Sequence, residues 1–233
     1  MKLFSGQKVI IILGPPGSGK GTQGELFALK ENLYHFETSQ ILESKFAAAK
    51  KGDFVKVGGK KYFLKDELKL RNSGKWNSPP LVSFWVNEKI KSLAKEGKGV
   101  VISGSPKTVY EAEQEIPLLK KLYGANNIKV ILIKQRPEVS IFRNSKRKIC
   151  ELMRHSILYS KENEELTKCP LDGSNFILRE DKDPKVIKSK LEQYQTRALP
   201  VLDYFKRQGL KIKEINGEKS VVDVFNDILK AIE

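Results

Sequence analysis

Apolar residues fall along this 233-residue chain in two rhythms. Short runs at Val9–Leu13, 99–102, 128–133 and 210–215 have the length and β-branched content of strands buried on both faces. Between them lie stretches with apolar residues every three or four positions. These predict helices over 23–30, 80–95 (stripe Leu81, Phe84, Trp85, Glu88, Ile90, Leu93), 186–204 and 221–232. The alternation predicts an α/β fold, a parallel sheet flanked by helices. Two stretches break the rhythm, 50–79, rich in Gly and Lys, and 150–178. Both read as insertions on the rim of one core. No fixed-period repeat or low-complexity linker divides residues 1–233.

The first strand runs directly into Gly14-Pro15-Pro16-Gly17-Ser18-Gly19-Lys20-Gly21-Thr22-Gln23. Glycines after a buried strand and before a helix permit a loop whose backbone N–H groups face phosphate oxygens. Lys20 adds a point charge, and the helix start adds its positive end. The strict phosphate-loop pattern places Ser or Thr directly after the lysine. Here Gly21 intervenes and the hydroxyl is on Thr22. A ligand-free Gly/Pro turn is the competing reading, and the strand–loop–helix context weighs against it.

Composition narrows the class. Apolar residues at 39% and charged residues at 30% describe a globular chain, and no run approaches the ~20 apolar residues of a membrane helix. The N-terminus shows no signal-peptide pattern, so a cytoplasmic protein is expected. Two cysteines, Cys150 and Cys169, make no disulfide framework in a chain of this length. The formal charge of +15 fits a polyanionic partner such as RNA as readily as a nucleotide. The lysines are dispersed and no aromatic interleaving is visible along the chain. A solvated basic surface is therefore expected, without nucleic-acid binding.

Along nearly its full length the chain resembles the adenylate kinase family of nucleoside monophosphate kinases. The loop Gly14 to Gln23 matches, including the glycine between lysine and threonine. Ser103-Gly104-Ser105-Pro106-Lys107-Thr108 stands where the family has Asp-Gly-Phe-Pro-Arg-Thr, and Arg143, Arg147 and Arg179-Glu180-Asp181 resemble the arginines around its mobile lid. The resemblance implies a P-loop NTPase-type core, an acceptor-binding insertion over 38–79 and a small lid over 148–178. It further implies a monomer that uses ATP with Mg²⁺ and a nucleoside monophosphate. Gly14, Gly17, Ser18, Gly19, Lys20, Gly21 and Thr22 would hold the donor phosphates, and Arg143 would stack on the donor base. Arg147 and Arg179 would clamp phosphates with Lys20, Lys107 and Lys190. Thr38, Lys107 and Glu111 would meet the acceptor.

The departures cluster on the acceptor side. The family's Thr-Gly-Asp followed by arginine reads Thr38-Ser39-Gln40 and Glu43, a carboxylate expected to repel the acceptor phosphate. Lys107 and Lys190 replace arginines and lose the bidentate fork. Gln40 and Ser103 replace two aspartates that hold hydrated Mg²⁺, leaving Thr22 and the donor phosphates to carry the ion. Glu111 replaces a glutamine, and an acceptor-only carboxylate favours a base edge rich in N–H groups, as in guanine or cytosine. Some family members hold zinc in the lid through four Cys, or three Cys and an Asp. Here Cys150, Cys169 and Asp172 remain, Met153 occupies the fourth position, and His155 is near enough to substitute. The alternative is a metal-free lid packed around Met153, Ile157, Leu158, Leu166 and Phe176. Three functions stay open: a nucleoside monophosphate kinase, ATP + AMP to 2 ADP by default; a catalytically weakened ATP-binding protein of the same fold; and an ATPase acting on RNA or ribosomes.

Overall fold

The computed structural model describes residues 8–177 and 183–232. Its centre is a five-stranded sheet of β1 (Val9–Leu13), β2 (Tyr34–Glu37), β5 (Val100–Ser103), β6 (Ile128–Lys134) and β9 (Ile212–Asn216), all parallel in the order β2-β5-β1-β6-β9. All five residues of β1 are buried, because both faces of the sheet are covered. Val9, Ile11 and Leu13 join one core with α4 (Pro79–Lys95), α5 (Val109–Tyr123) and α9 (Leu199–Arg207). Ile10 and Ile12 join the other, with α1 (Lys20–Glu31) and α10 (Val221–Ile232). That alternation is the period-two geometry of a strand, expressed in a sequence with no polar face to mark it.

The predicted strands and helices are present, with three differences. β2 carries only one buried apolar side chain, Phe36, so its sequence shows no run. In α4 the buried face is Leu81, Val82, Trp85, Val86, Ile90 and Leu93, while Phe84 and Glu88 point outward. The expected helix over 186–204 is interrupted. α8 (Pro184–Gln193) passes through a π-helical turn, Tyr194–Ala198, into α9. Pro200 lacks the N–H that would continue the ladder, which accounts for the widened turn preceding it.

The segment after β2 holds α2 (Thr38–Ala47), a hairpin of β3 (Phe54–Val57) and β4 (Lys60–Phe63), and α3 (Leu64–Asn72). Gly58 and Gly59 both have positive φ, +56° and +84°, as a two-residue hairpin turn requires. Strand pairing sets Phe54 opposite Phe63 and Lys56 opposite Lys61. The aromatic and basic interleaving that the linear sequence hides is thereby assembled on one face. After α6 (Pro137–Lys146), a second small hairpin, β7 (Lys148–Ile149) and β8 (Ser156–Ile157), opens the stretch that closes over Cys150 and Cys169 and carries the short helix α7 (Lys161–Glu164). Its core is Cys150, Ile157 and Cys169 with Leu166 and Phe176; Met153 and Leu158 are exposed, contrary to the apolar packing expected of them. Among the described residues no helix is long and apolar enough to cross a membrane.

Candidate active site

The loop between β1 and α1 is built against α6. Pro16 O accepts hydrogen bonds from Gln135 Nε2 (3.1 Å) and Ser140 Oγ, and Asn144 Nδ2 donates to Ser140 O (2.7 Å). Gly17 turns at φ +77°, and a Cβ there would collide with the Asn144 amide. Lys20, first residue of α1, arches back over the loop to donate from Nζ to Pro15 O at 2.7 Å. Its pKa falls to about 7, chiefly by burial and then by the neighbouring Lys107 cation; Arg147 pushes the same way and Glu37 opposes. A lysine whose charge is opposed by its own surroundings is stabilised by an arriving polyanion.

Lys107 repeats the theme at the end of β5. Burial lowers its pKa, and Arg71 and Lys190 add to the effect while Glu111 and Glu37 oppose it. The fold therefore brings together Lys20, Lys107, Arg147 and Lys190 from four separate elements into one positive field. Arg71 of α3 joins them. Arg143 lies beside the loop, its Nη1 donating to Gly217 O (2.7 Å) and Gln135 Oε1 (3.1 Å). Arg179, with Glu180 and Asp181, lies outside the described residues.

Thr38 opens α2 and is buried, and its Oγ1 has no hydrogen-bond partner among the described residues. An orphaned buried hydroxyl carries a free-energy cost that a ligand oxygen removes. Trp76 lies near two cations, with Lys107 Nζ 5.7 Å and Arg197 Cζ 5.4 Å from its ring centre. Gln193 positions it, accepting from Trp76 N (2.9 Å) and donating to Gly74 O (2.9 Å). The π-helical turn that follows Gln193 carries Arg197 to within 5.4 Å of the ring centre.

Three carboxylates depart from the sequence expectation. Glu43, expected to repel an acceptor phosphate, is instead tied through both oxygens, to Arg71 Nη2 (2.8 Å) and to Arg154 Nη2 of the cysteine-bearing stretch (3.0 Å). Glu111 is buried at the start of α5, where its Oε2 accepts from Lys107 N (2.7 Å) and lies 3.4 Å from Ser105 Oγ. Its spacing from the cap residue Thr108 is that of a capping box, so a helix-start role is already filled. Burial raises the Glu111 pKa. Glu115, one turn on, was not singled out by sequence. It is wholly buried and accepts from Ser105 Oγ at 2.6 Å, and burial plus the charge of Glu111 hold its pKa well above the usual carboxylate range.

Glu37 is the other missed residue. It ends β2 against the backbone of α1, so close that a side chain at Gly21 would overlap its carboxylate. The glycine after Lys20 is thus the space that Glu37 occupies. The signal was present in the sequence as Gly21 itself, a departure from the strict loop pattern that implies a close neighbour. Ser103, by contrast, is buried against His35, with Oγ 2.9 Å from Nε2, and Gln40 is exposed.

In the cysteine-bearing stretch, Cys150, His155, Cys169 and Asp172 present four ligand atoms that all lie within 4.8 Å of one another. His155 Nδ1 lies 3.6 Å from Cys150 Sγ, 3.5 Å from Cys169 Sγ and 3.1 Å from Asp172 Oδ2. Tetrahedral zinc separates its ligand atoms by about 3.3–3.8 Å; both His155–cysteine distances fall in that range, and Asp172 lies slightly nearer, 3.0 Å from Cys150 Sγ, so the donor set fits that ion in chemistry and approximate spacing. Met153 points away, with 64% of its surface exposed, and takes no part.

No family model matches the chain. It is 32% identical to the adenylate kinase of Chlamydia pneumoniae over 224 residues, covering 96% of this chain and 97% of that protein. It is 31% identical to the adenylate kinase of Methanocella arvoryzae over 229 residues, covering 95% and 97%. It is 30% identical to that of Chloroherpeton thalassium over 221 residues, covering 94% and 95%. These relatives carry nucleoside monophosphate kinase activity at the level of the family. With this similarity along nearly the whole chain, and a parallel sheet ending in a lysine-bearing phosphate loop, the protein belongs to the adenylate kinase family.

Proposed function

We propose that this protein transfers the terminal phosphoryl group of ATP to a nucleoside monophosphate, with AMP as the preferred acceptor. The observation that carries the reading is the convergence of Lys20, Lys107, Arg147 and Lys190, from α1, the loop between β5 and α5, the residue that follows α6, and α8, on one field in which both buried lysines have lowered pKa values. Such a field stabilises the charge on the oxygens of a phosphoryl group in transfer, which asks for positioned cations more than for covalent chemistry.

In this reading the loop amides and Lys20 hold the donor phosphates, Lys107 and Arg71 face the acceptor phosphate, and Thr38 Oγ1 donates to the acceptor. Arg143 would stack on the donor base. The similar proteins are named adenylate kinases, and adenylate is AMP. The preference for guanine or cytosine argued from a free Glu111 carboxylate loses its basis, because Glu111 Oε2 is engaged by the Lys107 backbone. The stretch 38–79 acts as the acceptor-binding segment and 148–178 as a lid, in contact through Glu43 and Arg154.

Magnesium fits the donor set. Thr22 offers a hydroxyl and Glu37 a carboxylate beside Lys20, the oxygen chemistry this ion takes, usually with several retained waters. Bound with ATP, it would neutralise charge between the donor phosphates. Zinc fits Cys150, His155, Cys169 and Asp172, where it would fix the lid's shape and supply no chemistry to the transfer.

Coupled assay of ADP formation from ATP and Mg²⁺ with AMP, GMP, CMP and UMP tests the proposal. AMP should give the highest turnover, and Lys20→Ala should lower kcat by roughly 10²-fold or more. Turnover with none of the four, or an unaffected Lys20→Ala variant, would overturn it.

A further inference from the structure

Outside the active site, the face of the β3–β4 hairpin turned to solvent has a composition that kinase chemistry does not use. Phe54 and Phe63 pair directly across the strands, with ring centres 5.7 Å apart at an interplanar angle of 62°, yet remain 44% and 45% exposed. The next pair on the same face is Lys56 opposite Lys61, both exposed. The opposite face accounts for the hairpin's attachment, since Val55, Val57 and Tyr62 pack into the main core. Two like charges directly opposite each other weaken a hairpin. Two large rings left half in water forgo burial that smaller side chains would not miss. Both features run against stability.

They suit a ligand that has flat faces and a negative backbone. The Lys61 ammonium already lies 4.3 Å from the Phe54 ring centre, so a charged group and a ring face occupy one site. From residue 50 to residue 69 the chain has seven lysines against three carboxylates. Glu67 is buried and spent on Asn77 and Ser78, and Asp53 accepts from the backbone of Lys50. We propose that this hairpin face binds single-stranded RNA, with two bases stacking on Phe54 and Phe63 and the flanking phosphates met by Lys56 and Lys61. Aromatic platforms edged with lysine bind single strands because every base offers a π face and every linkage a charge. RNA is favoured over duplex DNA because it presents unpaired bases in loops and single strands, whereas duplex DNA keeps its bases stacked inside. This surface is separate from the kinase site and does not depend on the proposed reaction.

Fluorescence anisotropy with a labelled oligouridylate of about ten nucleotides tests it, with ADP saturating the nucleotide sites. The wild type should bind the single strand in preference to duplex RNA of the same length. Phe54→Leu/Phe63→Leu keeps an apolar cross-strand pair while removing the π faces, and should weaken binding roughly tenfold or more. Lys56→Gln/Lys61→Gln should reduce the slope of log affinity against log salt by about 1.4. Neither double variant should melt below the wild type, since the opposed lysines and half-exposed rings add nothing to the hairpin's stability. The proposal fails if the oligonucleotide does not bind, if the leucine variant binds as the wild type does, or if duplex binds equally well. It also fails if vesicles of anionic lipid bind in an Phe54- and Phe63-dependent manner while RNA does not.

Discussion

Lys20 should take up a proton when ATP binds. In the free protein its pKa is about 7, lowered by burial and by the Lys107 cation. Donor phosphates would return it toward the ordinary 10.5, so a group that is largely neutral at pH 8 becomes charged in the complex. The sign follows from linkage: binding takes up protons, so affinity falls as pH rises above the free-state pKa. At pH 8 the free lysine is about one-tenth protonated, giving an uptake of about 0.9 proton per site, and from pH 7.5 to 8.5 the affinity should fall about eightfold. Phosphate's own second ionisation lies near 6, below this window, and does not imitate the effect. Calorimetric titration with a non-hydrolysable ATP analogue, repeated in buffers of different ionisation enthalpy, reads the uptake directly. Lys20→Arg keeps its charge throughout and should bring uptake at pH 8 close to zero. Lys107→Gln removes the largest opposing charge and should lower it in part. An uptake near zero in the wild type at pH 8, or an equal one in Lys20→Arg, would refute the reasoning.

Three further outcomes follow from the carboxylates and the lid. A double-mutant cycle between Glu43→Gln and Arg154→Gln should give a coupling of about 0.2–1 kcal/mol that shrinks with salt, because both side chains are roughly half exposed; zero coupling at low salt would remove the contact between α2 and the cysteine-bearing stretch. Glu115 has a raised folded-state pKa, so the stability it contributes is full below about 4.5 and is lost as pH rises toward the folded value. Denaturant midpoints at pH 5 and 8 should therefore fall more for the wild type than for Glu115→Gln, and equal falls would contradict the burial of that charge. Stripping metal with a chelator should make Cys150 and Cys169 reactive toward a thiol reagent and lower the melting temperature, and His155→Ala should reduce bound zinc; thiols equally reactive with and without zinc would exclude the four-ligand site.

The parts that were legible in the sequence share a physical property: each is specified by neighbours in the chain. β1 and β6 are runs of β-branched residues, and the phosphate loop is a local glycine pattern. Cys150, His155, Cys169 and Asp172 sit in two short clusters. The parts that were hidden depend on pairing at a distance. β2 has one buried apolar residue and is a strand because β5 offers it a free edge. The hairpin's aromatic face exists only once register sets Phe54 against Phe63. Glu43 reads as a hostile charge until Arg71 and Arg154, 28 and 111 residues away, are folded onto it. Glu37 and Glu115 were overlooked because a carboxylate in sequence announces neither its burial nor its partners.

The positive field above the phosphate loop is proposed to deliver a phosphoryl group to a nucleotide. The most direct measurement is the fate of the terminal phosphate of γ-labelled ATP when the protein is given Mg²⁺ and AMP. The label should appear in ADP derived from AMP, with little inorganic phosphate and with dependence on Lys20. Label found in inorganic phosphate at the same rate with and without AMP, or ATP left unconsumed, would contradict the account.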